Sequence, residues 1–298
     1  MSTLKRILKA ITPHALVEMR RAAVAARSQK AALALRSAFH AERRRLIASV
    51  EDAQVGAAIR GDDYERVIAF LRGGGLSDRD LREGSMPAES LEFIRERAIS
   101  QLDASRPLRA LHIGNFVGVS LAFLAAALVR RHPESLVVSI DPNLIHRGIT
   151  NPQAHVSALL SACGLQRNNL IVAGYSGRKS VSNDGTVFEG YDPAKEFSNE
   201  FACEESLRNI GQLCPRSFDF VCHDGNHEAT YLLNEIKQVL PLLRKGGFVV
   251  LDDVNAWWAE IRDVFLNLSS LGLEPVGTDG RVGIARLLSE YAGTAAGA

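Results

Sequence analysis

The chain has 298 residues, 46% of them apolar and 23% charged, with a net charge of +1. Such a composition supports a sizeable core, excludes a disordered or fibrous chain, and gives no electrostatic reason to expect a nucleic-acid partner. The charge is unevenly spread: residues 1–50 hold eleven Lys/Arg against two acids, so a basic arm precedes a mildly acidic body.

The N-terminal stretch places Leu4, Ile7, Leu8 and Ile11 on one face and Lys5, Arg6 and Lys9 elsewhere. Residues 1–21 could thereby lie on an anionic membrane surface, although a docking helix with a solvated basic face is the plainer reading. The segment lacks the apolar core and cleavage site of a secretory signal. The longest apolar run, Val117 to Val129, contains Gly118 and Ser120 and is too short to span a bilayer. Cys163, Cys203, Cys214 and Cys222 show no paired spacing, which predicts reduced thiols in a soluble, cytoplasmic protein.

From residue 14 to about 72 the chain is rich in Ala, Arg, Leu and Glu and ends in Gly73-Gly74-Gly75, which predicts two or three helices broken near Gly56 or Gly61. Residues 1–82 form a basic helical extension by this reading, able to mediate a dimer, and residues 83–298 form the main domain. A polar loop from Leu76 to Ser90 leads to a helix over Glu89–Leu102. Short β-rich runs then alternate with helical stretches. The runs are 110–113, 136–140, 170–173, 218–222, 248–251, 273–276 and 282–287, and the helices are 120–131, 155–163, 229–243 and 256–268. Near-continuous apolar strands alternating with helices imply an α/β fold, a doubly wound and mostly parallel sheet covered on both faces. Residues 177–217 are long for one crossover and read as an insertion followed by a helix over 194–213.

Ligands of such sheets bind beyond the carboxyl ends of the strands. After the first strand, Gly114 and Gly118 let backbone approach a ligand, while Asn115 and Ser120 can donate hydrogen bonds near a helix N-terminus. The spacing is not that of a dinucleotide loop, which disfavours a nicotinamide dehydrogenase. Asp141 ends the second strand, where its carboxylate could accept from ribose hydroxyls or cap a loop. Gly174, Tyr175 and Ser176 follow the third. The fourth ends in His223, Asp224, Asn226 and His227, and the fifth in Asp252 and Asp253. Three carboxylates on neighbouring strand ends repel one another unless a cation or proton relieves them, and an oxygen-rich set suits Mg²⁺ or Ca²⁺. Alternatively Asp253 caps the next helix and Asp252 faces solvent. Trp257 and Trp258 either wall an acceptor pocket or pack in the core.

This ensemble resembles a class I S-adenosylmethionine-dependent methyltransferase. The resemblance is to the bacterial branch with the motif IDGDHxYE…LLxPGGxxxxDD, which appears here as CHDGNHEATYLLNEIKQVLPLLRKGGFVVLDDV. It spans residues 83 to 290 and implies a seven-stranded sheet of order 3-2-1-4-5-7-6 with strand 7 antiparallel. It further implies that Gly114 and Gly118 line the methionine side of S-adenosyl-L-methionine, Asp141 the ribose and Ser176 the adenine, with Ser85 and Met86 covering the methyl donor. Relatives similar to catechol and macrolide-sugar O-methyltransferases bind Mg²⁺ through acids matching Asp224, Asp252 and Asp253, which implies methyl transfer to a hydroxyl of a small molecule or sugar. Two departures stand out: His112 replaces an acid two residues before Gly114, and Asn226 replaces an acid that could serve as base. His227 becomes the candidate base, with His223 structural. Metal-independent transfer, and a non-catalytic cofactor-binding module docking through the basic arm, are the competing expectations.

Overall fold

The near-continuous apolar runs become strands because alternate side chains of each run enter two separate cores. In β1 (Arg109–Ile113), β4 (Phe218–His223) and β5 (Leu243–Leu251), Ala110, Phe220, Cys222, Phe248 and Val250 face one core. Leu111, Ile113, Val221, Val249 and Leu251 face the other. With β2 (Leu136–Asp141), β3 (Asn169–Ala173), β6 (Leu273–Thr278) and β7 (Gly283–Leu287), they form a seven-stranded sheet of order β3-β2-β1-β4-β5-β7-β6. All pairings are parallel except those of β7, which runs antiparallel to both β5 and β6. This is the order and polarity that the resemblance implied. The computed structural model describes residues 59–177, 205–213 and 216–291, with six single helical positions between 23 and 41.

The first core is roofed by α1 (Tyr64–Gly73), α3 (Ala88–Arg97) and α4 (Val119–Arg131), and α5 (Pro152–Ala162) packs beside them. Val67, Ile68 and Leu71 of α1 are buried in that cluster with Leu81, so residues from Tyr64 onward share the sheet's own core. Leu81 belongs to α2 (Asp78–Glu83), a short helix where the sequence suggested only loop. Ser77 caps it by accepting from the Asp80 amide, and Arg79–Glu83 and Arg82–Asp78 ion pairs sit one turn apart, which is enough local support for six residues.

The second core is covered by α6 (Ser206–Leu213), α7 (Ala229–Val239) and α8 (Ala259–Leu266). Glu228 starts α7 by accepting from the amides of Thr230 and Tyr231, and Leu232, Ile236 and Val239 form its core stripe. The helix stops earlier than its apolar pattern suggests, because Pro241 enforces a 3₁₀ turn over Leu240–Leu242 and β5 begins at once. α8 starts later than expected because Asn255 Oδ1 accepts from the amides of Trp257 and Trp258, holding that stretch in a turn.

Apart from those six helical positions, the basic arm and the helices expected before residue 59 lie outside the described residues, as do the amphipathic start, residues 1–21 as a membrane contact, Cys203, Cys214 and residues 178–204 of the expected insertion. Among the described residues no helix is long and apolar enough to cross a membrane.

Candidate functional site

The parallel strands end in step, and the ladder continues one residue beyond each. The amide of Gly114 donates to Ile140 O, Gly174 to Asp141 O, Asp224 to Ile113 O and Asp252 to His223 O, at 2.8 to 3.0 Å. Gly114, Gly174, Asp224 and Asp252 are thereby fixed along one edge. A side chain at Gly114 (φ +85°) would put its Cβ 1.9 Å from the Asp224 carbonyl oxygen. The sequence offered ligand approach as the reason for this glycine, and the ends of β1 and β4 touching there supply another. Gly118, left-handed at φ +93°, closes the turn into α4 by donating to Asn115 O at 2.7 Å.

Asp141 clasps two loops. Its Oδ2 accepts from the Asn115 amide at 2.7 Å and its Oδ1 from the Asn143 amide at 2.6 Å. Enclosure by protein raises its carboxyl above the ordinary value although these amides oppose the shift. Asn115 is buried, and its Nδ2 donates to Ser139 Oγ at 3.2 Å while its Oδ1 has no partner. Ser85 and Met86 are buried, Met86 within the first core, and the preceding Gly84 lies against the Phe116 ring of the glycine loop. The left-handed glycine turn, the Asp141 carboxylate and the unpaired Asn115 oxygen are a donor and acceptor set that fits a nucleoside cofactor.

Ser176 takes its side-chain partners from α7. Its hydroxyl is buried against Tyr231 Oη at 3.1 Å and the Glu235 carboxylate, and Glu235 Oε2 lies 3.2 Å from His223 Nδ1. His223 is thus a core residue, held by α7. Tyr231 and Glu235 escaped the sequence reading, although a glutamate next to Ile236 in the apolar stripe was the available signal.

The acids meet at the ends of β4 and β5. One ligand atom each from Asp224, His227 and Asp252 lie within 4.8 Å of one another. Ser120 Oγ donates to Asp224 Oδ2 at 3.3 Å. Asp253, left-handed at φ +56°, turns instead toward His227, with Oδ2 3.5 Å from Nδ1. The rings of Trp258 and His227 meet in a T-shaped contact with centroids 4.7 Å apart, and His227 Nε2 has no hydrogen-bond partner. Trp257 is 95% exposed, so of the two tryptophans only Trp258 touches this set.

A residue not anticipated from the sequence completes the cluster. Arg281, in the turn between β6 and β7, grips Asp252 with two parallel bonds, Nε to Oδ1 at 3.0 Å and Nη2 to Oδ2 at 2.9 Å. Its Nε is also 3.6 Å from Asp253 Oδ1. The antiparallel pairing of Leu251 with Gly283 puts this turn at the end of β5, and that topology was the only signal for it. Burial alone would raise the Asp252 carboxyl, but the guanidinium holds it below the ordinary value. Enclosure, then the negative charge of Asp252, push Asp224 well above the ordinary value, and the same two causes raise Asp253. One ionised acid beside a carboxyl that favours its proton is what a cation would reverse, and the oxygens of the two carboxylates suit a hard divalent ion.

Comparison with known proteins gives a match over part of the chain. Residues 111–254 match the family model of a methyltransferase domain. No curated protein matches the chain. Among solved structures, a protein of Corynebacterium glutamicum aligns at 16% identity and a TM-score of 0.48, covering 82% of this chain and 96% of its own. The MycE methyltransferase of the mycinamycin pathway, in complex with Mg, SAH and mycinamycin VI, aligns at 15% identity and a TM-score of 0.45, covering 76% and 59%. CalS11, a TDP-rhamnose 3′-O-methyltransferase of calicheamicin biosynthesis, aligns at 12% identity and 0.44, covering 83% and 93%. At such identities nothing about acceptor or metal passes to this chain. Over residues 111–254, and so over every strand-end residue from Gly114 to Asp253, the chain matches a methyltransferase domain.

Proposed function

We propose that the protein transfers the methyl group of S-adenosylmethionine to a hydroxyl oxygen of a small molecule or sugar. The observation that carries this reading is the convergence of Asp224, His227 and Asp252 on the same sheet edge as the glycine turn and Asp141. In the transfer, an oxygen lone pair attacks the sulfonium methyl, the sulfur–carbon bond breaks to leave a thioether, and the hydroxyl proton must leave. His227 Nε2, the nitrogen without a partner, takes that proton, while Asp253 beside Nδ1 holds the ring. Asp253, expected among the metal ligands, is in this reading an orienting group. Asp224 and Asp252 would hold Mg²⁺, whose chemistry when bound is to lower the acceptor hydroxyl's pKa. Asp141 binds ribose, and the turn from Gly114 to Gly118 admits the methionine portion. A metal-independent transfer with the same base is the second reading, favoured by the positive charge that Arg281 already brings to Asp252.

Isothermal titration with S-adenosylmethionine tests the core of the proposal, and absence of binding would overturn it. Release of S-adenosylhomocysteine against hydroxylated small molecules and sugars, with and without chelator, then separates the two readings. His227→Ala should lower kcat about 10² to 10⁴-fold and leave cofactor affinity unchanged.

A further inference from the structure

We propose that Arg281 is a tethered cation that competes with a divalent ion for Asp252, so that metal loading of the acid cluster requires the guanidinium to release its grip. The inference rests on the assignment of Asp224 and Asp252 to a divalent ion.

Arg281 is presented to the cluster by a turn that is itself pinned. Its amide donates to Asp279 Oδ1 at 2.9 Å, its carbonyl accepts from the Val254 amide at 2.7 Å, and the next amide, of Val282, also donates to Asp279 Oδ1. Asp279 is held in turn by Ser90 Oγ at 2.7 Å. The backbone therefore stays in place whether or not the side chain is engaged, and only the rotamers of Arg281 are free to change. The engaged rotamer uses both oxygens of Asp252, the fork-to-fork arrangement in which guanidinium binds carboxylate best. Its charge reaches Asp253 as well, and Asp252 is the acid for which it and a metal would compete.

An ion bound between Asp224 and Asp252 would place two positive charges beside a third in a poorly solvated cleft. It would also need lone pairs on oxygens that already accept strong charge-assisted bonds. The ion gains its full affinity only when the guanidinium leaves, so the two cations compete for Asp252. The cluster then has an arginine-closed state and a metal-loaded state, and the free ion concentration sets the balance between them.

The test is titration of the full chain with MnCl₂, followed by the loss of the free Mn²⁺ electron paramagnetic resonance signal, for wild type, Arg281→Met and Arg281→Lys. Binding of S-adenosylhomocysteine by calorimetry in the same samples confirms that the cofactor half is intact. Arg281→Met should bind Mn²⁺ at least tenfold more tightly than wild type. Arg281→Lys, whose single ammonium cannot span both oxygens, should bind two- to fivefold more tightly, and it carries the test if the methionine variant does not fold. Equal or weaker Mn²⁺ binding by the variants, with wild type binding normally, would overturn the competition and leave the metal assignment standing. Absence of Mn²⁺ binding in wild type and variants alike would overturn both.

Discussion

Acidification should destabilise this protein through His112 in a window that can be named in advance. His112 lies in mid-strand in β1, 1% exposed, between neighbours that face the opposite core. Neither ring nitrogen makes a hydrogen bond, although the Asn115 side chain lies alongside. Burial pushes the imidazole from its ordinary 6.5 down to about 4. Between those values the unfolded chain binds a proton that the folded chain refuses. The stabilising contribution is therefore fully present above pH 6.5 and is lost as the pH falls through 4. A gap of about 2.5 pH units corresponds to about 3 kcal/mol, a sizeable part of the roughly 5 to 15 kcal/mol that holds a domain folded. The perturbation is His112→Leu, similar in volume and unable to titrate. Urea unfolding followed by circular dichroism at several pH values from 7 to 4.5 would compare it with wild type. The carboxylates of the acid cluster are common to both proteins, so their opposing shifts cancel in the comparison. Wild type should lose about 2 to 3 kcal/mol more than the variant across that range. Two curves falling in parallel would refute the argument, since His112 would then titrate alike in both states.

Two further expectations concern the edge proposed to hold the cofactor. Gly114→Ala should cost about 2 to 4 kcal/mol in chemical denaturation, because its Cβ would strike a backbone carbonyl at a left-handed position, and unchanged stability would mean the two strand ends do not meet. Asp141→Ala should weaken S-adenosylmethionine binding about ten- to hundredfold by calorimetry, from the loss of charged hydrogen bonds worth about 1.5 to 3 kcal/mol each. Unchanged affinity would reduce Asp141 to a clasp between loops.

The sheet was readable because its central strands β1, β4 and β5 are buried on both faces and carry apolar runs that no surface segment would tolerate, β4 above all. Helix boundaries were less readable, since they depend on single hydrogen bonds and restraints such as the Asn255 turn and Pro241. At the site, Gly114, Asp141, Asp224 and Asp252 follow from chain order, because a parallel sheet brings strand ends together. What chain order does not carry is direction. Adjacent Asp252 and Asp253 look equivalent on paper, yet the left-handed backbone at Asp253 turns it to His227. Arg281 and Glu235 enter from a distant turn and from a helix, and only tertiary packing says which polar group they meet.

The contact between Trp258 and His227 gives the chain an optical reporter of its own chemistry. Only two indoles are present, one 95% in solvent and the other in ring contact with the candidate base. Their emission is therefore divisible: a dissolved quencher removes the light of Trp257 first, and what survives comes from beside His227. A molecule entering the cleft, or a proton arriving on that imidazole, changes the surviving light without any label being added.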